Sequence, residues 1–149
     1  MDYLINEEEF IRIIEDKFLK SENINLTVTG NSMVPFLVHK RDSVILSAPD
    51  DIIRKGDILF YRRKNGKCVL HRVKKITDQG LYFIGDSQNT IEGPLDKSCV
   101  LAKCNSVIRK GKLIDNKSII WKFFRNIWLN IIPLRLPLIK FIAKIKKLK

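Results

Sequence analysis

The spacing of apolar side chains changes twice along this chain, and the two changes divide it into three parts. In the first, Phe10, Ile13, Ile14 and Phe18 recur at helical spacing while Glu8, Arg12 and Glu15 fall on other faces. That pattern predicts an amphipathic helix docked through its apolar stripe. Asn6 with Glu9 three residues later supplies the N-cap and its capping-box partner. From Ile24 to about Asp115 the helical period gives way to short runs rich in β-branched residues. NLTVTG, SVILSA, DILFYRR, KCVLHRVKKI, GLYFIGD and CVLAKCNSVIR read as strands, with KNGK and DQG as hairpin turns. The third part is helical again. Ile120, Phe123, Phe124, Ile127, Trp128 and Ile131 share one face, Pro133 and Pro137 interrupt, and a second piece sets Leu138, Phe141, Ile142, Ile145 and Leu148 against Lys140, Lys144 and Lys147. The expected organisation is an N-terminal helix over 1–22, a β domain over 23–116 and a basic amphipathic tail over 117–149. The fold class is therefore mainly β, with bent sheets and hairpins flanked by amphipathic helices.

Charge sharpens the reading of the tail. Basic residues outnumber acidic ones 28 to 16, which would ordinarily suggest nucleic acid. Nine of the basic residues lie beyond Asp115, however, where no acid occurs, and the preceding 115 residues are nearly balanced. The excess belongs to one apolar segment, so membrane lipid is the expected partner of the tail and nucleic acid is not. No uncharged run approaches the ~20 residues a spanning helix needs. Two helices lying in the headgroup layer fit best, with a tilted span or a protein partner as alternatives. Cys68, Cys99 and Cys104 are an odd number without paired spacing, and His39 and His71 are the two histidines. Neither a disulfide framework nor a zinc site is expected, and no cofactor. The acidic start, MDYLINEEEF, does not read as a signal peptide.

Four short segments carry the chemistry. Thr29 to Leu37 reads TGNSMVPFL, Lys55 to Tyr61 reads KGDILFY, Val69 to Val73 reads VLHRV, and Phe83 to Gln88 reads FIGDSQ. Together and in this order they resemble the serine peptidase superfamily that contains type I signal peptidases and self-cleaving repressors. Within it, the chain resembles the branch with His where most bacterial members carry Lys. A serine hydroxyl is a poor nucleophile until a base takes its proton. The resemblance makes Ser32 the nucleophile and His71 the base, because HRV stands where Lys-type relatives read KRV. Such a dyad requires Ser32 Oγ within hydrogen-bond reach of a His71 ring nitrogen. With an unperturbed imidazole, activity would rise between about pH 6 and 8, whereas a rise only above about pH 9 would indicate a lysine such as Lys74.

The resemblance implies further roles. A histidine base usually needs an acceptor for its second ring nitrogen. Asp86 matches the superfamily's Gly-Asp after the last core strand, and Glu92, six residues on, stands where His-type members show Asp; the two remain alternatives as the orienter. Gly30 replaces a serine that helps bind the oxyanion in many signal peptidases, which leaves the Ser32 N–H as the main donor with Asn31 assisting. Met33 and Pro35 are expected to position the nucleophile, Met33 by packing beneath it and Pro35 by fixing the chain after it. Asp42 matches a further Gly-Asp in which Arg41 replaces Gly. His39 falls on no motif position and reads as a surface residue.

The expected activity is that of a membrane-associated serine endopeptidase that cleaves a signal- or leader-like segment of a peptide or preprotein held in extended form. The resemblance implies small residues at the first and third positions before the cut. A non-catalytic peptide-binding module of the same fold is the alternative, motivated by Gly30, Arg41, Glu92 and the lack of an N-terminal anchor. A repressor is disfavoured, because about twenty residues before the β domain are too few for a helix-turn-helix module. The expected location is a bacterial cytoplasmic membrane, at its cytosolic face if the tail lies flat and on the outer side if it spans.

Overall fold

The computed structural model describes residues 6–148; the first five residues of the expected N-terminal segment and Lys149 lie outside them. Helix α1 spans Glu7–Leu19 and begins where Asn6 caps it, its side chain accepting from the Glu9 N–H at 2.8 Å. Glu7, Glu8 and Glu9 in the first turn complement the positive end of the helix dipole. The helix is rolled slightly from the expected face: Ile11 and Ile14 are buried, whereas Ile13 is exposed. Phe10 meets Phe60 edge to face, with ring centroids 5.7 Å apart.

Eight strands form one antiparallel sheet: β1 Ile24–Thr27, β2 Ser43–Ser47, β3 Ile58–Arg62, β4 Cys68–Thr77, β5 Gly80–Ile84, β6 Glu92–Leu95, β7 Val100–Arg109 and β8 Lys112–Asp115. Their order is β1-β2-β7-β3-β4-β5-β6, with β8 paired to β7 off that path. The six runs expected from sequence are all strands. The two strands beyond those six, β6 and β8, carry EGPL and KLID and lack the β-branched alternation that makes a strand legible. Both hairpin turns are where KNGK and DQG place them. Gly66 has φ +89° in the first, and Gly80 has φ +140° in the second, where an added Cβ would lie 2.5 Å from the Leu95 carbonyl oxygen.

Strand β3 is buried from Ile58 to Tyr61 because both of its faces are covered. Ile58 and Phe60 join a core with Met33, Phe36, Val44 and Leu46 on one side; Leu59 and Tyr61 join Val73, Leu81 and Phe83 on the other. Register shifts between Ile45 and Leu46, between Phe60 and Tyr61 and between Val73 and Lys75 mark bulges, which bend the ladder.

The segment after Asp115 departs from the expected detachable tail. Ser118 caps helix α2, Ile119–Asn126, and Trp121, Phe124, Trp128 and Leu129 are buried. The Phe36 ring lies 5.4 Å from Trp121 and 4.9 Å from Phe124, centroid to centroid. The boundary expected at 117 is thus no boundary in the core, and the buried face differs from the expected one, since Phe123 and Ile127 are exposed. Helix α3 runs Ile132–Lys147 straight through Pro137. Pro133 sits in the first turn, where its missing N–H costs nothing. Pro137 forfeits the bond to the Pro133 carbonyl, yet the helix continues where a break was expected.

Candidate active site

The peptidase motifs converge where the outer edges of β1 and β4 face each other. Strand β5 pairs with β4 only from Arg72 onward, and β1 pairs only with β2. A cavity of about 150 Å³ lies between the two unpaired edges, lined by Leu26 to Gly30 on one side and Cys68 to Leu70 on the other, with Phe60 and Met33 beneath. Backbone groups alternate in direction along a strand. Val28 bonds toward β2 and Val73 toward the residue before β3. The N–H and C=O groups of Thr27, Thr29 and Leu70 therefore point into the slot. Ser32 lines its end.

The Ser32 turn is fastened at several points. Ser87 donates its N–H to the Ser32 carbonyl at 3.0 Å and its hydroxyl to the Asn31 carbonyl at 2.8 Å. The Gly30 N–H donates to His39 Nδ1 at 2.8 Å, Gly30 having φ +83°. Arg109 Nε donates to the Phe36 carbonyl at 2.8 Å. Met33 is buried beneath the turn, and Pro35 lies half-buried within it. The exposed His39 thus braces the turn as well, a role its sequence position did not signal. Buried Asp42 accepts from the Val38 and Lys110 N–H groups and from Arg41, closing the loop behind. Asn31 is exposed, and the Ser32 N–H has no acceptor among the described residues.

His71 lies on β4 opposite Leu59, 3 % exposed, and lines a neighbouring cavity of about 260 Å³ with Arg63, Phe83, Gln88 and Glu92. Its Nδ1 is 3.1 Å from the Tyr61 hydroxyl, which donates to Glu92 Oε1 at 2.8 Å. A phenol has one proton to give and a carboxylate can only accept. With the Tyr61 proton directed to Glu92, the hydroxyl oxygen accepts from His71, which places the imidazole proton on Nδ1 and leaves Nε2 as the basic nitrogen. Arg63 Nε lies 2.8 Å from Glu92 Oε2 but is not aimed along the contact, so the pair is an ion pair rather than a hydrogen bond. Burial, and secondarily the Arg63 charge, push His71 down to about 4. Burial, and then the bond to Glu92, raise the Tyr61 hydroxyl far above its usual range, so it stays protonated.

Asp86 does not touch His71. Its carboxylate accepts from Arg72 Nε and Nη2, both at 2.9 Å, and both side chains are fully buried. The expectation that Asp86 orients the imidazole is therefore corrected: in this arrangement the carboxylate linked to His71 is Glu92, through Tyr61. Alternation explains the difference, since Arg72 and His71 are adjacent on β4 and face opposite sides of the sheet. The signal for Tyr61, the last residue of KGDILFY, is its position two residues after Leu59, on the face that His71 shares. Lys74 donates to the Leu129 carbonyl at 2.9 Å. Burial pushes the Cys68 thiol at the slot wall up to about 12, which makes it a poor nucleophile.

The Ser32 backbone lies beside the residue that follows the last β4–β5 pair, while the Ser32 and His71 side chains line different cavities. Arg72 pairs with Ile84, so Gly85 falls beside His71, and a Cβ added to Gly85 would lie 2.5 Å from the Ser32 carbonyl oxygen. Yet Ser32 Oγ makes no hydrogen bond to His71, and the bond expected of a dyad is not formed in this structure. Among the described residues no cluster of His, Cys, Asp or Glu could hold a metal ion.

The model of the Peptidase S24-like family matches residues 2–101. This bent antiparallel sheet with its braced serine turn belongs to that family, a family of serine peptidases. No curated protein matches the chain.

Proposed function

We propose that this chain is a serine endopeptidase of the His-type, signal-peptidase-like kind, which cuts a leader- or signal-like segment bound as an extra strand between β1 and β4. The slot between two unpaired strand edges, ending at Ser32, carries this reading. An extended peptide entering it would meet the backbone groups of Thr27, Thr29 and Leu70 and present its scissile carbonyl near Ser32. Ser32 Oγ attacks that carbonyl while His71 Nε2 takes its proton; the Tyr61–Glu92 pair holds Nδ1–H and stabilises the imidazolium. The Ser32 N–H receives the developing oxyanion. The imidazolium then returns the proton to the leaving amine, and water releases the acyl group by the same base.

A peptide-binding module without catalysis is the second reading, and the absence of a Ser32–His71 hydrogen bond favours it. Acylation by a serine-directed probe separates the two. Under the first reading the wild type is labelled, Ser32→Ala is not, and His71→Gln is labelled at least ~100-fold more slowly. A wild type labelled no faster than Ser32→Ala would leave only the binding module.

A further inference from the structure

Helix α3 is fixed to the protein at its start and projects at its end. Arg135, fully buried, donates to the Trp128, Gly85 and Gln88 carbonyls, whereas every residue from Lys140 to Leu148 is exposed. Leu134, Leu138, Phe141, Ile145 and Leu148 follow one another at intervals of four, three, four and three, which aligns them in one stripe. They are between 38 % and 80 % exposed. At about 100° per residue, the stripe points roughly a quarter turn or more away from Arg135 and the half-buried Ile139, which mark the side meeting the protein. Lys140, Lys144 and Lys147 run along one flank and Lys146 along the other.

Charge decides what covers the stripe. The same spacing would suit a coiled-coil seam with a second copy. In that arrangement the flanking lysines would face their own counterparts, and no acid occurs after Asp115 to pair with them. An acidic surface that also accepts apolar side chains satisfies both features, and the headgroup layer of an anionic membrane is such a surface. No helix among the described residues is long and apolar enough to cross a membrane. From Leu134 to Leu148 the stripe extends about 21 Å, short of the ~30 Å hydrocarbon core. We propose that α3 beyond Arg135 docks the protein on an anionic lipid surface, lying in its plane with Leu134, Leu138, Phe141, Ile145 and Leu148 inserted. This docking does not depend on the chemistry at Ser32.

The test is co-sedimentation of the full chain with vesicles of phosphatidylcholine alone or with about one third phosphatidylglycerol. Two triple variants are compared with the wild type: Leu138→Ser/Phe141→Ser/Ile145→Ser and Lys140→Glu/Lys144→Glu/Lys147→Glu. All six positions are exposed, so thermal melts should match the wild type. Binding to the anionic vesicles is expected, weakened at least ~100-fold by the serine variant and at least ~10-fold by the glutamate variant. High salt should reproduce only the second loss. Three results overturn the proposal: no binding to anionic vesicles, equal binding by the wild type and both variants, or a solution dimer that the serine variant converts to monomer.

Discussion

Replacing His71 by Gln should make the protein less sensitive to mild acid. The wild-type imidazole is buried and its protonation is held down to about 4, against ~6.5 in an unfolded chain. Below pH 6.5 the unfolded chain therefore takes up a proton that the folded protein refuses, and stability falls as pH drops toward 4. Above pH 6.5 neither state is charged at this position, so the full stability is present there. At pH 4.5 the unfolded imidazole is almost fully protonated and the folded one mostly neutral, which amounts to a loss of ~2–3 kcal/mol. That is a large share of the ~5–15 kcal/mol typical of a domain. Urea unfolding of wild type and His71→Gln at pH 7.0 and 4.5 measures it. Carboxylates contribute to both proteins, so their effects cancel in the difference of differences. With two histidines in the chain, the ring signal lost in the variant also identifies His71 in an NMR titration. Equal acid sensitivity in the two proteins, or a His71 ring titrating near 6.5, would refute both the burial and its consequence.

The same depressed pKa moves the expected activity profile: kcat/KM should rise through about pH 4 to 5 rather than between 6 and 8, which a pH–rate series on a cleaved peptide checks. Tyr61→Phe removes the link between Glu92 and His71 and should lower kcat ~10- to 100-fold at a stability cost of ~1 kcal/mol, read by steady-state kinetics beside urea unfolding. Asp86→Ala strands the buried Arg72 charge and should cost ~3–5 kcal/mol, a loss visible in urea unfolding whatever the activity. Deleting residues 140–149 should leave the thermal melt intact, whereas deleting 117–149 should unfold the chain. The longer deletion strips Trp121, Phe124, Trp128 and Leu129, worth together ~6–12 kcal/mol of burial, about the whole stability of a domain.

What was legible in the sequence follows from how local each signal is. The Asn6 cap, six strands and two hairpins depend on residues within a few positions of one another, and these are present as read. The Ser32 turn was legible because Gly30, Met33 and Pro35 surround Ser32 directly. The partner of His71 was not, because it depends on which side of β4 each neighbour faces and on a hydroxyl from β3. Motif matching placed Asp86 near the site but could not tell that Arg72 holds both of its oxygens. The tail misled for a related reason. An apolar stripe beside lysines looks the same whether it meets lipid or protein, and only the three-dimensional structure assigns Trp121, Phe124 and Trp128 to the core and Phe141 and Ile145 to the surface.

The segment beyond the family match bears directly on the Ser32 turn. Ser32 rests on Gly85 and Ser87, and that turn is held from beneath by residues far along the chain. Trp128 Nε1 donates to the Asp86 carbonyl at 2.7 Å, Arg135 Nη1 donates to the Gly85 and Gln88 carbonyls at 3.0 and 3.1 Å, and Arg72 binds the Asp86 carboxylate. Two of these three supports lie outside residues 2–101. The turn can therefore keep its shape only while α2 and the start of α3 are seated, and the C-terminal segment completes the site rather than trailing from it. Burial, opposed by the Asp86 carboxylate and aided by the Arg72 charge, lowers the Arg135 pKa from its ordinary value, but a guanidinium keeps its proton in proteins, so its hydrogen bonds are of the stronger, charge-assisted kind. The helix that carries Arg135 in its first turn also carries the exposed stripe, so one element joins that stripe to the carbonyls beneath Ser32.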